Sequence, residues 1–354
     1  MESPVFANGN VTLHQGDALD LYDRWDAPVV IVSDGAYGLG GKGDVPSVAE
    51  LPLWYEPHVR AWAGKATPLT TLWFWNTEIG WATVHPLLVR HGWVYRQCCI
   101  WDKGLTHAVN TSNTKTLRKL PTVSEVCAQY VRPPEVRSNG AVHSVQQWLR
   151  SEWRRAGLTM KQANESCGMR NQISRRYLAS DHHWYCPTPD VFARLAAYAN
   201  KYGDPTGRPY FSLDGKRPGS GTQWRRVGRD EGGQWSRSRA KFFCPLGLTN
   251  VWREKPVRGR DRITVRGRTL HPHQKPIALM ERILQLSSEP GDMVWEPFGG
   301  LCTAALAASR LGRRCVAAEI RPEVFRAAVR RFELAERSFY PEFQARRASL
   351  RQLE

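Results

Sequence analysis

The chain has 354 residues, of which 42% are hydrophobic, and its formal net charge is +17 at pH 7. This length accommodates a full catalytic domain together with a smaller inserted module. No stretch approaches the roughly 20 apolar residues of a membrane helix, and the N-terminus lacks the basic start and apolar run of a secretory signal. We therefore expect a cytoplasmic protein.

The eight cysteines are scattered, with one adjacent pair (Cys98, Cys99) and no CxxC spacing. This pattern disfavours a zinc site and a disulfide framework, so reduced thiols are expected. His271, His273 and Lys275 also lack the spacing of a helical metal site, and no metal is predicted.

The positive charge is concentrated between Arg208 and Arg268, where 16 Lys and Arg face five Asp and Glu. Trp224, Trp235 and Trp252 lie in the same stretch among glycines. Basic residues interleaved with aromatic ones suit phosphate contacts combined with base stacking, although a solvated basic loop has the same composition. On charge alone the polyanion could be DNA, RNA or an anionic membrane. The predicted contacts to it are Arg225, Arg226, Arg237, Arg239 and Lys241.

Apolar, β-branched runs predict a parallel sheet in the first third of the chain. Strands are expected at 28–33, 70–75, 94–101 and 124–131, with a helix at 78–92 between the second and third. Alternation of strand and helix is typical of βαβ units.

After Pro133-Pro134 the pattern changes to helices, which we expect over 141–203. Short helices joined at glycines indicate either a helix-turn-helix type of arrangement or a plain helical packing insert. A second βαβ unit then follows the basic stretch. Its expected elements are helix 276–287, strand 292–295, helix 303–311, strand 314–319 and a final helix at 322–346.

Two segments carry the chemistry. In MVWEPFGGLCT a strand ends at Glu296 before Gly299 and Gly300, and Glu319 ends the next strand about 20 residues later. An acidic residue there can accept hydrogen bonds from ribose hydroxyls, which implies a nucleoside-containing cofactor. In VIVSDGAYGLG, Asp34 follows a strand and Tyr37 closes the turn. Asp34 with a backbone carbonyl could accept both hydrogens of a base amine, while Tyr37 stacks on the base.

These segments resemble the amino-group (adenine-N6 or cytosine-N4) DNA methyltransferases of bacterial restriction-modification type, in the permuted β-type order. The resemblance lies in the stretch from HPHQKPIALMERIL to EPFGGLCTAALAA, and in VSDGAYGL, which is similar to the family's Asp-Pro-Pro-Tyr or Ser-Pro-Pro-Tyr loop. GDALDLYDRW and CIWDKG also look like family segments. Together these cover roughly 1–134 and 268–334.

The resemblance implies an α/β fold, a doubly wound and mostly parallel Rossmann-like sheet with an inserted helical and irregular DNA-recognition region. It divides the chain into a catalytic half at 1–134, a target-recognition insertion at 135–267 and a cofactor half at 268–354. The implied activity is methyl transfer from S-adenosylmethionine to the amine of a flipped base in double-stranded DNA. A homodimer is a further partner to consider.

Site residues follow from the same resemblance. Asp34, with the Gly35 carbonyl, would bind the target amine, and Tyr37 would stack on the base. The implied cofactor contacts are Lys275, Pro276, Glu296, Phe298, Gly299, Gly300 and Glu319. The sequence departs from the family at Gly35-Ala36, where two prolines are usual, and Ser33 beside Asp34 leaves the choice between adenine and cytosine open. An RNA methyltransferase and an inactive DNA-binding regulator are the competing readings.

Overall fold

The computed structural model describes residues 5–41, 44–105, 118, 120–138, 140–180, 184–225, 240–259, 262–265, 268–269 and 274–339. The strands are β1 Val5–Asn8, β2 Val11–Gln15, β3 Val30–Ser33, β4 Thr71–Asn76, β5 Val94–Asp102, β6 Ser124–Val131, β7 Glu135–Ser138, β8 Ala141–Ser144, β9 Val251–Arg253, β10 Thr264–Val265, β11 Arg268–Thr269, β12 Met293–Glu296 and β13 Arg314–Glu319. The helices are α1 Leu51–Lys65, α2 Glu78–Arg90, α3 Val145–Arg155, α4 Met160–Ser166, α5 Pro189–Tyr202, α6 Gly221–Trp224, α7 Ile277–Ser287, α8 Thr303–Arg310 and α9 Pro322–Phe339, with a π-helical turn at Ile173–Tyr177.

One nine-stranded sheet organises the chain in the order β1-β2-β13-β12-β3-β4-β6-β5-β9. Strands β2, β13, β12, β3 and β4 are consecutively parallel, β9 is parallel to β5, and β1 is antiparallel to β2. The predicted mostly parallel sheet is confirmed. β6 was predicted as a strand, and the structure places it antiparallel between β4 and β5, which alternation of polarity alone does not reveal.

Helices cover both faces of this sheet, as its nearly continuous apolar strands require. On one face α7, α8 and α9 pack against the sheet, with Trp73, Trp75 and Trp252 in the same core. On the other face α1 and α2 bury a cluster rich in aromatic rings, including Tyr55, Trp62 and Trp295. The result is a three-layer α/β sandwich that fixes the carboxyl ends of its central strands.

Residues 136–224 form a third core of their own around Trp148, Trp153, Phe192 and Trp224. The helical prediction over 141–203 was wrong at its start, because β7 and β8 pair as a hairpin before α3 begins at Val145. β9 lies inside the stretch predicted as insertion, yet it is hydrogen-bonded into the main sheet beside β5.

Two tryptophans of the basic stretch do not face a ligand. Trp224 is fully buried and its ring stacks on Phe192 with centroids 4.1 Å apart. Trp252 is 2% exposed and its ring centroid lies 6.0 Å from that of Trp73. The expected base stacking by these two rings is therefore wrong, since core packing uses them, and Trp235 lies outside the described residues. Within the described ranges, no helix is long and apolar enough to cross a membrane.

Candidate active site

The site lies between β3 and β12, where the connections to the following strands run in opposite directions along the sheet. β3 and β12 are parallel neighbours; from β3 the chain continues to β4 on one side, and from β12 to β13 on the other. Open α/β sheets bind ligands at such a switch point, outside the carboxyl ends of the strands. The loop that starts at Asp34, and the strand-terminal carboxylates Glu296 and Glu319, all belong to this edge.

Asp34 lies at the centre of a compact polar cluster. Its Oδ1 accepts hydrogen bonds from Lys275 Nζ at 2.7 Å and from the Tyr37 hydroxyl at 2.8 Å. The same ammonium group lies 2.9 Å from the Tyr37 hydroxyl and 3.2 Å from Glu125 Oε2. Lys103 reaches the other oxygen of Glu125 at 2.5 Å. Within the described residues, Asp34 Oδ2 has no hydrogen bond.

The cluster is buried and electrically balanced, with two carboxylates facing two ammonium groups. The Lys275 side chain is 3% exposed, and those of Glu125 and Asp34 are 12% and 19% exposed. Burial opposes ionisation of Glu125, but the charges of Lys275 and Lys103 prevail and lower its pKa to about 2. Burial likewise disfavours the charged form of Lys275, but Asp34 and Glu125 raise its pKa above the usual value. Glu125 and Lys275 therefore keep their charges at neutral pH.

The loop that carries Asp34 is held by a second carboxylate. Asp44 accepts hydrogen bonds from the backbone N–H groups of four residues, at 2.8–2.9 Å. These donors are Tyr37, Gly38, Leu39 and Val45. The turn is thus closed by its own side chain, as Asp often does in loops.

Aromatic packing explains the glycine after Asp34. A Cβ atom at Gly35 would lie 2.7 Å from the Phe298 ring and 2.8 Å from the Tyr55 hydroxyl, so neither Ala nor Pro fits there without a shift. The next carbonyl, of Ala36, accepts hydrogen bonds from the Tyr55 hydroxyl at 3.1 Å and from Asn76 Nδ2 at 2.9 Å. Rigidity that two prolines would supply comes here from side chains of α1 and β4.

Phe298 belongs to an aromatic cluster rather than to open solvent. Its ring centroid lies 5.0 Å from Trp54, 4.8 Å from His58 and 6.0 Å from both Tyr55 and Trp62. Because Phe298 also limits the space at Gly35, it physically couples the segment after β12 to the loop of Asp34.

Glu296 occupies the start of α8. It accepts hydrogen bonds from the backbone N–H groups of Ala304 at 2.9 Å and Ala305 at 2.7 Å. Burial raises the pKa of this carboxyl group to about 8, although these hydrogen bonds and Arg331 act in the opposite direction. The helix N-terminus, which in many nucleotide folds binds phosphate, is thus filled by a carboxyl group of the chain itself.

Glu319 ends β13 and faces the glycine turn. Its carboxylate accepts hydrogen bonds from the backbone N–H of Gly300 at 2.8 Å and of Arg321 at 2.9 Å, and it is 7% exposed. Gly299 lies so close to β13 that an added Cβ would be 2.9 Å from the Ala318 carbonyl oxygen. Cys302 just beyond is a non-glycine residue with φ 51°, a conformation that L-residues rarely adopt.

The structure thus brings most of the predicted site residues to the carboxyl edge of the sheet. The contacts of one of them, Lys275, differ from the prediction. Lys275 contacts Asp34 and Tyr37 rather than the segment of Glu296 and Glu319, while Pro276 precedes α7 as its N-cap. Glu125, Lys103, Asp44, Tyr55 and Asn76 join the site without having been predicted. For Glu125 and Asn76 the sequence signal is a polar residue inside or at the end of an apolar strand, as in SEVCAQYV and TLWFWN.

The predicted DNA contacts are distributed differently. Lys241 pairs with Glu289 and Asp292 at 2.7 Å each, at the amino end of β12, so the structure does not present it to a phosphate. Arg225 is exposed at the end of α6. Arg226, Arg237 and Arg239 lie outside the described residues. The segment after β9 exposes Lys255 and Arg258, and it leaves the sheet at the carboxyl ends of the parallel strands.

The part of the site that contains Lys275, Glu296 and Glu319 is similar in sequence to known proteins. Residues 225–330 match the N6/N4 methyltransferase family model, described as DNA methylase. A segment of 65 residues is 43% identical to the DNA adenine methyltransferase YhdJ of Escherichia coli K12, and it covers 18% of this chain and 22% of that protein. A segment of 104 residues is 38% identical to the type II methyltransferase M.ScaI of Streptomyces caespitosus, and it covers 28% of this chain and 34% of that protein. The matches thus span about a quarter to a third of the lengths of these relatives.

The fold is that of a solved methyltransferase. The PvuII DNA methyltransferase, described as cytosine-N4-specific, superposes with a TM-score of 0.52 at 13% sequence identity, over 94% of this chain and 89% of that one. This likeness confirms the predicted Rossmann-like methyltransferase fold over nearly the whole chain. Residues 225–330 are therefore similar to DNA methylases, and the chain as a whole has the same fold as the PvuII protein.

Proposed function

We propose that this chain, with its DNA methylase segment on a methyltransferase fold, is an S-adenosylmethionine-dependent DNA methyltransferase that modifies the exocyclic amine of a base, adenine N6 or cytosine N4. The observation that carries the proposal is the position of Asp34. It lies at the end of β3 with one carboxylate oxygen fixed, directly beside the segment of β12 that matches DNA methylases. Both amines are covered because each presents the same two N–H donors.

The chemistry of the pocket fits this cofactor. Glu296 fills the N-terminus of α8, so the amide groups that would bind a phosphate are already used. Glu319, Glu296 and Asp34 instead make the edge rich in carboxyl groups, which suits ribose hydroxyls and a positively charged sulfonium. When bound, S-adenosylmethionine supplies an electrophilic methyl group. Glu319 would hold the ribose, with Phe298, Gly299 and Gly300 lining the pocket.

The residues of the chain prepare the nucleophile. As the new N–C bond forms, the bond between the methyl group and sulfur would break and leave a neutral thioether. Positive charge then develops on the amine nitrogen, which afterwards releases one proton to water. Asp34 Oδ2 would accept a hydrogen bond from the amine, and with the Gly35 carbonyl as second acceptor it stabilises the developing charge. Lys275 and the Tyr37 hydroxyl fix Asp34 Oδ1, so we propose Lys275 and Glu125 as positioning residues. Tyr37 is held through its hydroxyl and would stack its ring on the flipped base.

For the DNA we propose two sets of contacts. The sequence prediction of Arg225, Arg226, Arg237 and Arg239 stands as a proposal for the insertion. At the carboxyl edge we add Lys255 and Arg258, which are exposed in the segment that follows β9. A homodimer also stays a proposal, to be decided by sedimentation.

The test of the function is a methyl-transfer assay. The protein is incubated with tritiated S-adenosylmethionine and either unmethylated genomic DNA or total RNA, and the product is digested to nucleosides. Label in N6-methyladenine or N4-methylcytosine from DNA supports the proposal. Label in RNA alone identifies an RNA methyltransferase, whereas DNA binding without label identifies an inactive regulator; either result overturns the proposal.

Replacing Glu319 by Ala should weaken cofactor binding at least tenfold. The change removes charge-assisted hydrogen bonds to ribose, worth about 1.5–3 kcal/mol each. Isothermal titration calorimetry with S-adenosylmethionine measures the effect. Glu333→Ala, on α9, serves as a matched control, and an unchanged dissociation constant in Glu319→Ala would remove Glu319 from the site.

Cofactor affinity should rise with pH towards about 8. Burial holds the pKa of Glu296 near that value, and a cationic sulfonium favours the ionised carboxylate, so binding releases a proton at lower pH. Log affinity is expected to increase by up to about one unit per pH unit below 8 and then to level off. Titrations from pH 6 to 9 measure this, and Glu296→Gln should flatten the profile; a profile of equal slope in both proteins would contradict the assignment.

A further inference from the structure

The helical insert is attached at the opposite edge of the sheet from the proposed catalytic loop. β6 runs antiparallel, so its last residue, Val131, pairs with the first residues of β4 and β5, and the insert begins four residues later with β7. On the return path Lys241 pairs with Asp292, just before β12 begins. Both connections are therefore at the amino ends of the parallel strands.

One surface of this insert is distinguished by its charge and exposure. Between Glu165 and Asp181 the chain has three arginines and no acidic residue. We call residues 170–176 the arginine turn. Its exposed side chains are Arg170, Asn171, Gln172, Arg175 and Arg176, and within the described residues no ion pair or side-chain hydrogen bond engages any of these five.

The arginine turn is built rigidly from beneath. The buried Asn164 side chain of α4 accepts hydrogen bonds from the backbone N–H groups of Ile173 at 3.0 Å and Ser174 at 3.2 Å. Its amide donates to the Met160 carbonyl at 3.0 Å and to Ser174 Oγ at 3.1 Å. Ile173 and Leu178 anchor the turn in the core of the insert. The backbone that presents the exposed polar side chains is thus held in a fixed conformation.

The turn can also be placed relative to the sheet. The Arg176 carbonyl accepts a hydrogen bond from the Tyr185 backbone N–H at 2.7 Å. This contact ties the turn to the rest of the insert, whose two connections to the sheet are at the amino ends of the parallel strands. We therefore assign the arginine turn to the amino-end side of the sheet.

We propose that the arginine turn is a second surface for duplex DNA, separate from the edge at which the base is modified. The proposal rests on the proposed function for the identity of the nucleic acid. Arginines neutralise phosphates and bind guanine edges, and Asn and Gln pair with adenine in the major groove. A turn with a fixed backbone presents these three residue types, and the sequence from 166 to 180 contains no acidic residue. This composition suits a surface that contacts DNA.

A second contact with DNA has a direct consequence for the enzyme. Holding one part of a long duplex raises the effective concentration of the sites nearby, so the protein would stay on a long molecule between methylations. A short duplex that fills only the catalytic edge would gain nothing from this surface.

The test compares the variant Arg175→Ala/Arg176→Ala with Arg60→Ala/Arg90→Ala, which removes the same charge from exposed arginines on α1 and α2. Fluorescence anisotropy measures binding to a 40-base-pair duplex of mixed sequence in 50–200 mM KCl. We expect at least a tenfold loss of affinity at 100 mM, and a log–log salt slope smaller by about 1.8, since each phosphate contact contributes about 0.9. The control variant should match the parent, and Arg175→Lys/Arg176→Lys should keep most of the affinity.

The outcomes separate this proposal from the proposed function. Thermal melting first checks that the insert is folded in each variant. A loss of duplex binding confined to the arginine-turn variant supports the second surface even where no methyl transfer is detected. Unchanged affinity and slope, an equal loss in the control variant, or tighter binding to an RNA duplex of the same length would each overturn it.

Discussion

Asp34→Asn should lower single-turnover methyl transfer by at least about 10²–10³-fold, because the carboxylate is the proposed charged acceptor at the nitrogen where positive charge develops. Asn keeps the shape of the side chain and can still accept one hydrogen bond from Lys275. The effect therefore isolates the charge of the Oδ2 position from the packing of the loop. Rapid-quench assays with saturating cofactor and DNA measure the rate.

Asp190→Asn is the matched control, since Asp190 is exposed and forms an ion pair with Arg194 on the surface of α5. It should transfer methyl groups at the parental rate. Calorimetry should give the same S-adenosylmethionine affinity for Asp34→Asn and the parent, because the proposed ribose contacts lie at Glu319. If Asp34→Asn reacted within threefold of the parent, the loop from Asp34 to Tyr37 would have no part in the chemistry.

Local sequence pattern predicted the parts of the fold that depend on neighbouring residues. The apolar strands ending at Ser33, Glu296 and Glu319 and the intervening helices are confirmed, because continuous burial selects the same residue types wherever such a strand lies. The antiparallel direction of β6 and the hairpin before Val145 were not predicted. Both features depend on which strands pair with each other, and the spacing of apolar residues within one strand does not specify its pairing partner.

The site shows the same division. Asp34 and Glu296 could be found from their position after strands, whereas the Lys275 contact joins atoms 241 residues apart in the chain. The role given to Lys275 followed from its neighbour Pro276 and the start of α7. In the folded chain the side chain instead crosses to the loop after β3, where two carboxylates attract it. Glu125 was missed for the same reason, since nothing in the sequence of β6 indicates which cations it will face.

The glycine and alanine after Asp34 gain a physical explanation from the packing. Proline rigidity is unnecessary where Asp44 ties four backbone N–H groups and Tyr55 with Asn76 holds the Ala36 carbonyl. Phe298 leaves no space for a Cβ at residue 35. The loop is therefore fixed by contacts from three other elements, and its glycine is a consequence of the aromatic cluster rather than a sign of lost function.

The second large effect is expected on stability, from Lys275→Met. Breaking a buried ion pair by removing one partner typically costs about 3–5 kcal/mol, because the remaining charges stay buried without compensation. Lys275 is 3% exposed and faces Asp34 and Glu125. Lys241→Met is the matched control, since Lys241 also faces two carboxylates but is 23% exposed and has a partner, Glu289, that is 58% exposed; it should cost only about 0–1 kcal/mol. Urea unfolding at pH 7 measures both changes.

The pH dependence of this loss identifies its electrostatic origin. The pKa of Glu125 is lowered to about 2 in the folded parent, so its contribution to stability is present above the unfolded pKa of about 4.3 and is lost as the pH falls towards 2. Without Lys275 much of that contribution is absent at pH 7 already, and the buried carboxylates are relieved by protonation in acid. The stabilities of Lys275→Met and the parent should therefore converge as the pH falls from about 4.3 towards 2. A cost at pH 7 no larger than that of Lys241→Met, or a difference that does not change with pH, would mean that the cluster around Asp34 is held by packing and not by its charges.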